Sequence, residues 1–462
     1  LRPFVPLALA AALLAMAATF PACRPDEPSL SGAHMGTAAV KPVPVRPFRM
    51  GAPDAVLLVT GGTCGMLEVC NCPGPMAGGM SRRSGLVHSY RAVFGHLAVL
   101  DTGNALWVEP NSIRNDYVLR SYGMVGYDAL VLGNQEWAVP DERLQRILKA
   151  SGVAALSSTV SSPGVTKKAD VRFTWPAGKL AVVTDAREQA LRFLGPGRRR
   201  QLTLAPPAQL IKQVQELRKQ GFAVALVALM DEQDMPAAVQ ALRPDLLLWG
   251  GPQITDTKLR RVAGCPTVKV GGPEYVAAVA LRFAGDKLAG VEYRAERVDE
   301  TWPIDGAALR LYQAYNHEAM LQALDGPKAG GLDYVPSAEC GKCHKAQYEA
   351  WTRSRHAHAY QTLVRVKRTD EPDCLTCHTS GFRTVKGFRT FAATPKLAGV
   401  NCQDCHRFNL PDHRQKTFKV PRVETGICLS CHTHVTDPSF DHKQRLACVR
   451  CPSRKRPPGP HD

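Results

Sequence analysis

Four copies of one five-residue pattern stand in the last quarter of this 462-residue chain: Cys340-Gly341-Lys342-Cys343-His344, Cys374-Leu375-Thr376-Cys377-His378, Cys402-Gln403-Asp404-Cys405-His406 and Cys428-Leu429-Ser430-Cys431-His432. Two thiols at this spacing add to the two vinyl groups of one haem, and the histidine that follows reaches its iron. The chain has 15 cysteines and 14 histidines. Random placement of that many would yield about 0.015 such patterns. Disulfides and zinc knuckles do not require a histidine directly after each second cysteine. These motifs are therefore expected to hold four covalent haems c.

Successive first cysteines lie 34, 28 and 26 residues apart. So small a segment builds little core from protein alone. The porphyrins are expected to serve as its core, wrapped in short helices and loops without strands. All ten methionines precede the segment, the last being Met320. Axial methionine, which raises the potential, is thus lacking within it. Six further histidines lie there: His356, His358, His413, His434, His442 and His461. That supply suits bis-histidine iron at low potential. His434 is too close to His432 to cap the same iron, so it is expected to serve a neighbouring haem. His461 stands in a proline-rich tail and reads as exposed. Cys448 and Cys451 keep the thiol spacing, but Pro452 cannot ligate iron. A decayed fifth site, a disulfide and a lone thiol pair stay open there, and no haem is expected.

Trp351, Ser354, His356 and Ala359 resemble the W-x-x-S-x-H-x-x-A stretch of multihaem cytochromes c of the nitrifier tetrahaem type. The run from Cys374 through Phe382 is similar to their CxxCHTTGF. Gly399 through His406 resembles their GVxCExCHGPGxxH, and His413 fits the closing distal ligand. Arg407, Phe408 and Asn409 depart from GPG. The resemblance covers residues 334–450. It favours His356 and His413 as distal ligands and implies electron transfer.

The N-terminus reads as an export signal. Arg2 is followed by an apolar stretch over residues 7–18 and by Phe20-Pro21-Ala22-Cys23. This resembles a bacterial signal peptide ending at a lipidated cysteine, Cys23. An ordinary cleaved signal and an uncleaved anchor stay open. Prolines 25, 28, 42, 44 and 47 then suggest an extended tether over residues 24–50. All readings put the body outside the cytoplasm, in the periplasm or at the cell surface. Without another long apolar run, a polytopic membrane protein is excluded.

Residues 51–325 alternate strand-like and helix-like segments. Apolar runs at 55–60, 96–101, 128–133, 222–229 and 245–249 read as buried strands, and 208–220 as a helix. The pattern predicts a layered α/β domain, followed over residues 326–462 by a small, mostly α or irregular haem domain. Gly126 through Glu136 resembles the GYDAxxxGNHE motif of the 5′-nucleotidase branch of calcineurin-like phosphoesterases. Asp101-Thr102-Gly103-Asn104 is similar to their DxGD. Thr60 through Gly65, Gly78 through Arg83 and Pro244 through Pro252 stand where they have TNDxHG, GGxAR and VDxxxGGHxH. The resemblance implies a two-metal hydrolase whose ligands are gone. Gly62, Cys64, Asn104, Gln135, Pro252 and Ile254 replace acids and histidines, and Asn134 alone survives clearly. Cys64, Cys70 and Cys72 stand at the mouth of that site. A soft metal, thiol–disulfide chemistry and a structural disulfide stay open for them. Cys265 reads as a core cysteine.

Lysine and arginine number 58 against 41 acids, a net charge of +17. From Gly331 onward the counts are 22 and 12, an excess of +10 that haem propionates would offset in part. Export argues against nucleic acid. A redox protein or the quinone pool is the expected donor or acceptor. An electron relay is favoured over its rival, a haem oxidoreductase acting on a small nitrogen or sulfur compound. Pyridine haemochrome assay of the purified chain is expected to give four haems per polypeptide. A value of five would return Cys448 and Cys451 to the attachment sites.

Overall fold

The computed structural model describes residues 40–69, 76–250, 256–326, 332–415, 417–419, 423–433, 436–437, 440–449 and 451. The expected signal with Cys23, the tether up to residue 39, Cys70, Cys72, Pro252, Ile254, His434, His461 and the Cys448 side chain lie outside them. No helix of the described residues is long and apolar enough to cross a membrane.

Unbroken apolar runs make the central strands, because both of their faces are covered. The first sheet has the strand order 287–297, 275–284, 55–60, 97–101, 129–131, 154–156 and the second 260–262, 265–270, 246–250, 223–229, 178–186, 171–175. In the first, β1 (Ala55–Thr60), β2 (Leu97–Asp101), β3 (Ala129–Val131) and β4 (Ala154–Leu156) run parallel. The hairpin of β13 (Tyr275–Ala284) and β14 (Lys287–Arg297) closes its edge antiparallel. A short pair, β5 (Val160–Ser161) and β8 (Thr203–Leu204), stands apart. In the second sheet β7 (Gly178–Ala186), β9 (Ala223–Leu229), β10 (Leu246–Gly250) and β12 (Cys265–Val270) are parallel. β6 (Val171–Trp175) and β11 (Arg260–Val262) flank them antiparallel.

The two sheets share one core. Period-two alternation sends Ala223, Ala225, Val227 and Leu229 of β9 into the cluster that holds Val56, Leu58 and Leu100. Val224, Leu226 and Ala228 turn to Leu210, Val214 and Leu217 of helix Pro207–Lys219. Cys265 belongs to this second cluster and is buried. Helices Met80–Val93 and Ile113–Val125 bury Leu86, Tyr90, Leu119 and Tyr122 in the first cluster. This is the layered α/β domain read from the sequence.

Residues 43–50, the end of the expected tether, lie against that domain. Phe48 is buried under the Arg294 guanidinium, 4.2 Å from its ring centre. Val43 N donates to Ser89 Oγ at 3.1 Å, and the backbone N–H groups of Arg49 and Met50 donate to Glu292.

Helix Gly306–Asp325 links the two parts. Asp305 caps it through Ala307 N and also accepts from Ser84 Oγ at 2.5 Å. It packs on Ile113–Val125, with Tyr117 and Tyr315 edge to face at 5.6 Å, and on helix Pro372–His378. Beyond it, short helices alternate with loops, with no strand among the described residues. Haem is not the sole means of packing here. Tyr360, Leu363, Leu375, Phe382, Phe388 and Leu397 form a small apolar cluster with Ala323. That cluster stops at Leu397. After it, the buried side chains among the described residues are polar, Asn401 and Gln403.

Close approach of two segments makes Gly85 obligatory. A Cβ on it would lie 1.8 Å from the Pro303 carbonyl oxygen, whereas one on Gly95 would meet open space. Gly85→Ala is expected to cost about 1–3 kcal/mol. Gly95→Ala should stay within about 0.5 kcal/mol. Urea unfolding midpoints compare the two.

Candidate functional site

Each attachment motif folds as a single helical turn. His344 N–H donates to Cys340 O, His406 N–H to Cys402 O and His432 N–H to Cys428 O, all at 2.9 Å. His378 closes helix Pro372–His378. Positions i, i+3 and i+4 share one helix face, so two thiols and an imidazole reach the same side. The motifs also gather. The free thiols of Cys340 and Cys402 are neighbours, as are those of Cys377 and Cys431.

Two motif histidines face a second histidine. The ring centres of His344 and His413 are 5.8 Å apart, and those of His356 and His432 are 6.2 Å apart. Two imidazoles sharing one metal, with metal–nitrogen bonds of about 2 Å, put their ring centres about 6 Å apart. Nδ1 of His406 and Nδ1 of His413 are buried without a hydrogen-bond partner among the described residues. The side chains present thus fit haem.

Other contacts orient the rings. His378 Nδ1 lies 2.7 Å from Ala359 O and 3.0 Å from Thr362 Oγ1, which leaves Nε2 for a ligand. His432 Nδ1 lies 2.9 Å from Asp437 Oδ2, with the same consequence. His413 packs between Phe408 and Phe418 at 4.6 and 5.4 Å. The remaining candidates are placed differently. His358 is exposed, with Nε2 at 2.9 Å from Thr352 O. His442 Nδ1 is 3.3 Å from Thr425 Oγ1, at the start of the fourth motif's helix. Cys451 is exposed.

In the first domain, the segments after β1, β2 and β3 bring Cys64, Asn104 and Gln135 together. Cys64 and Asn104 both adopt positive φ, 50° and 57°. Gln135 N–H donates to Asn104 Oδ1 at 3.2 Å. Its side-chain amide lies 3.8 Å from Cys64 Sγ. Oriented to donate to the carbonyls of Leu106 (2.8 Å) and Asn104 (2.9 Å), that amide turns its oxygen to the thiol. Burial pushes the Cys64 thiol above the usual thiol range. At neutral pH Cys64 is therefore a thiol and a weak nucleophile.

The acids of this cleft point inward. Asp101 is buried and accepts from Thr60 Oγ1 (2.6 Å), Tyr122 OH (2.8 Å) and Gly103 N (2.7 Å). Glu136 is buried and accepts backbone N–H groups of Asn104, Ala105, Leu106 and Gly133 at 2.7–3.1 Å. Arg83, also buried, donates to Thr63 Oγ1 at 2.8 Å. Sequence reading missed these roles, although Glu136 and Arg83 stood in quoted motifs. Among the described residues no three His, Cys, Asp or Glu side chains converge to hold a metal ion.

Residues 339–407 match the model of the family described as cytochrome c554 and c-prime. Cytochrome c-554 of Nitrosomonas europaea is 34% identical over 95 residues, which are 17% of this chain and 40% of that protein. Among solved structures, the sulfate thiohydrolase SoxB of Thermus thermophilus superposes with a TM-score of 0.52 at 18% identity, covering 64% of each chain. A 5′-nucleotidase precursor from Thermus thermophilus gives 0.48 at 18% identity, covering 60% of this chain and 61% of that one. The chain thus spans less than two-thirds of each of these relatives. It joins a metallophosphoesterase-like fold to a segment similar to cytochrome c554.

Proposed function

We propose that this protein relays electrons between redox partners through four covalently bound haems c. The observation that carries this is the gathering of four attachment turns with two facing histidine pairs, His344 with His413 and His356 with His432. Cys340, Cys343, Cys374, Cys377, Cys402, Cys405, Cys428 and Cys431 anchor the groups. His344, His378, His406 and His432, together with His413 and His356, would hold the irons. Bound there, the irons supply one-electron chemistry. The Ala359 carbonyl and Asp437 hold the His378 and His432 rings in orientation. Absence of methionine after Met320 keeps the potentials low. The protein is exported to the periplasm or cell surface and held through lipid on Cys23. Its partner is a redox protein or the quinone pool. The phosphoesterase-like domain is a docking module without hydrolase activity, since Gly62, Cys64, Asn104 and Gln135 supply no carboxylate or imidazole.

One observation favours a second reading. Facing histidine rings stand at His344 and His432, two of the four attachment turns. An open iron at another turn would suit a haem oxidoreductase acting on a small nitrogen or sulfur compound.

His356→Ala and His413→Ala are each expected to turn one low-spin haem high-spin, with covalent attachment intact. Electron paramagnetic resonance and haem counts read this, and unchanged spectra in both variants would remove the ligand assignment. A wild-type high-spin component that binds nitrite or hydroxylamine would favour the second reading. Nucleotide and phosphate-ester hydrolysis should stay at background with manganese or zinc added; metal-dependent turnover would overturn the docking assignment.

A further inference from the structure

Two carboxylates precede Cys374, and each meets a cation. Arg368 Nε donates to Glu371 Oε2 at 2.7 Å, and Tyr312 OH donates to the same oxygen at 2.8 Å. Asp373 is different, because its closest cation comes from the other domain. Arg114 of helix Ile113–Val125 puts Nη2 2.5 Å from Asp373 Oδ1. Arg383 is farther, at 3.8 Å, and its side chain is 40% exposed against 16% for Arg114.

Arg114 cannot easily turn away. Its Nε donates to Tyr315 OH at 3.0 Å, and its guanidinium lies 4.5 Å from the Trp107 ring centre. Gly65 backs it, where a Cβ would lie 3.1 Å from Arg114 Cδ and 2.7 Å from Trp107 Cβ. Tyr315 OH also lies 3.5 Å from Asp373 Oδ2. Arginine, ring and carboxylate form one fixed unit across the domain boundary.

Asp373 adjoins an anchoring cysteine, so its charge acts on whatever Cys374 carries. A bare carboxylate stabilises the ferric state, which bears one more positive charge, and so lowers the reduction potential. Paired with a cation, the carboxylate loses most of that effect. We propose that Arg114 is a positioning residue that sets the potential of the haem held by Cys374, Cys377 and His378, by neutralising Asp373. This rests on the reading that those three residues hold a haem. Linkage gives a second consequence. Arg114 favours the ferrous state, so reduction of that haem tightens the docking of the two domains.

The test is a redox titration of the full-length, haem-loaded protein. A Cys374→Ala/Cys377→Ala protein identifies which couple belongs to this site. Arg114→Gln is expected to lower that couple alone, and Asp373→Asn to raise it. In the double variant it should return towards the wild-type value. Haem count and thermal midpoint accompany every variant. If Arg114→Gln does not accumulate, Asp373→Asn, at a half-exposed acid, still carries the test through its upward shift. No shift in either single variant, an equal shift of all couples, or a double variant that stays at the Arg114→Gln value would overturn the role of Arg114. An undiminished haem count in the Cys374→Ala/Cys377→Ala protein would instead overturn the haem reading.

Discussion

The placement of the haem segment depends on a polar seam. Its apolar cluster ends at Leu397, and the described side chains buried beyond it are Asn401 and Gln403. Beyond Leu397, little apolar packing is left to position the segment, although Ala323 of the linking helix joins the cluster before it. Tyr312, Tyr315 and Arg114 reach Glu371 and Asp373 from the first domain, while Arg368 donates back to the Val69 carbonyl at 3.2 Å. One exposed ion pair contributes about 0–1 kcal/mol. Here the pairs share partners and are partly buried, so they act as a network rather than one by one. The helix that carries Cys374 and His378 is the part of the segment seated most directly on it.

Two buried acids tie the loops of the first domain. Asp101 and Glu136 face protein donors, Thr60, Tyr122 and Gly103 for one and four backbone N–H groups for the other. Burial raises the pKa of both acids, and these hydrogen bonds oppose that shift. The loops after β1, β2 and β3, which carry Cys64, Asn104 and Gln135, are thus tied to carboxylates.

What could be read in the chain followed the range of each interaction. The attachment motifs are local, because one porphyrin needs two thiols and an imidazole on a single turn. Strand β1 was legible as an unbroken apolar run, and so was the layered domain. The facing of His356 and His432 was not, since tertiary folding brings together residues 76 positions apart. Resemblance drew attention to His356 and His413, but spacing alone gave no partner for either. Arg114 and Asp373 are 259 positions apart and carry no pattern. The docked strap at residues 43–50 was also hidden, because proline content signals an extended chain and says nothing of what it lies on.

The described loop from Thr63 to Val69 bears on how the two parts cooperate. It carries Cys64 on the cleft side, where burial keeps the thiol protonated and poorly reactive. On the other side its backbone does the contacting. Gly65, at φ 75°, lets Arg114 and Trp107 close on it, and the Val69 carbonyl accepts from Arg368. The cleft and the second attachment helix are therefore two faces of one wall. A ligand or modification that displaced this loop would move both arginines, and with them the charges beside Glu371 and Asp373. On the electron-relay reading, the cleft beside Cys64 then influences electron flow through charge placement, with no need for Cys64 to exchange an electron itself.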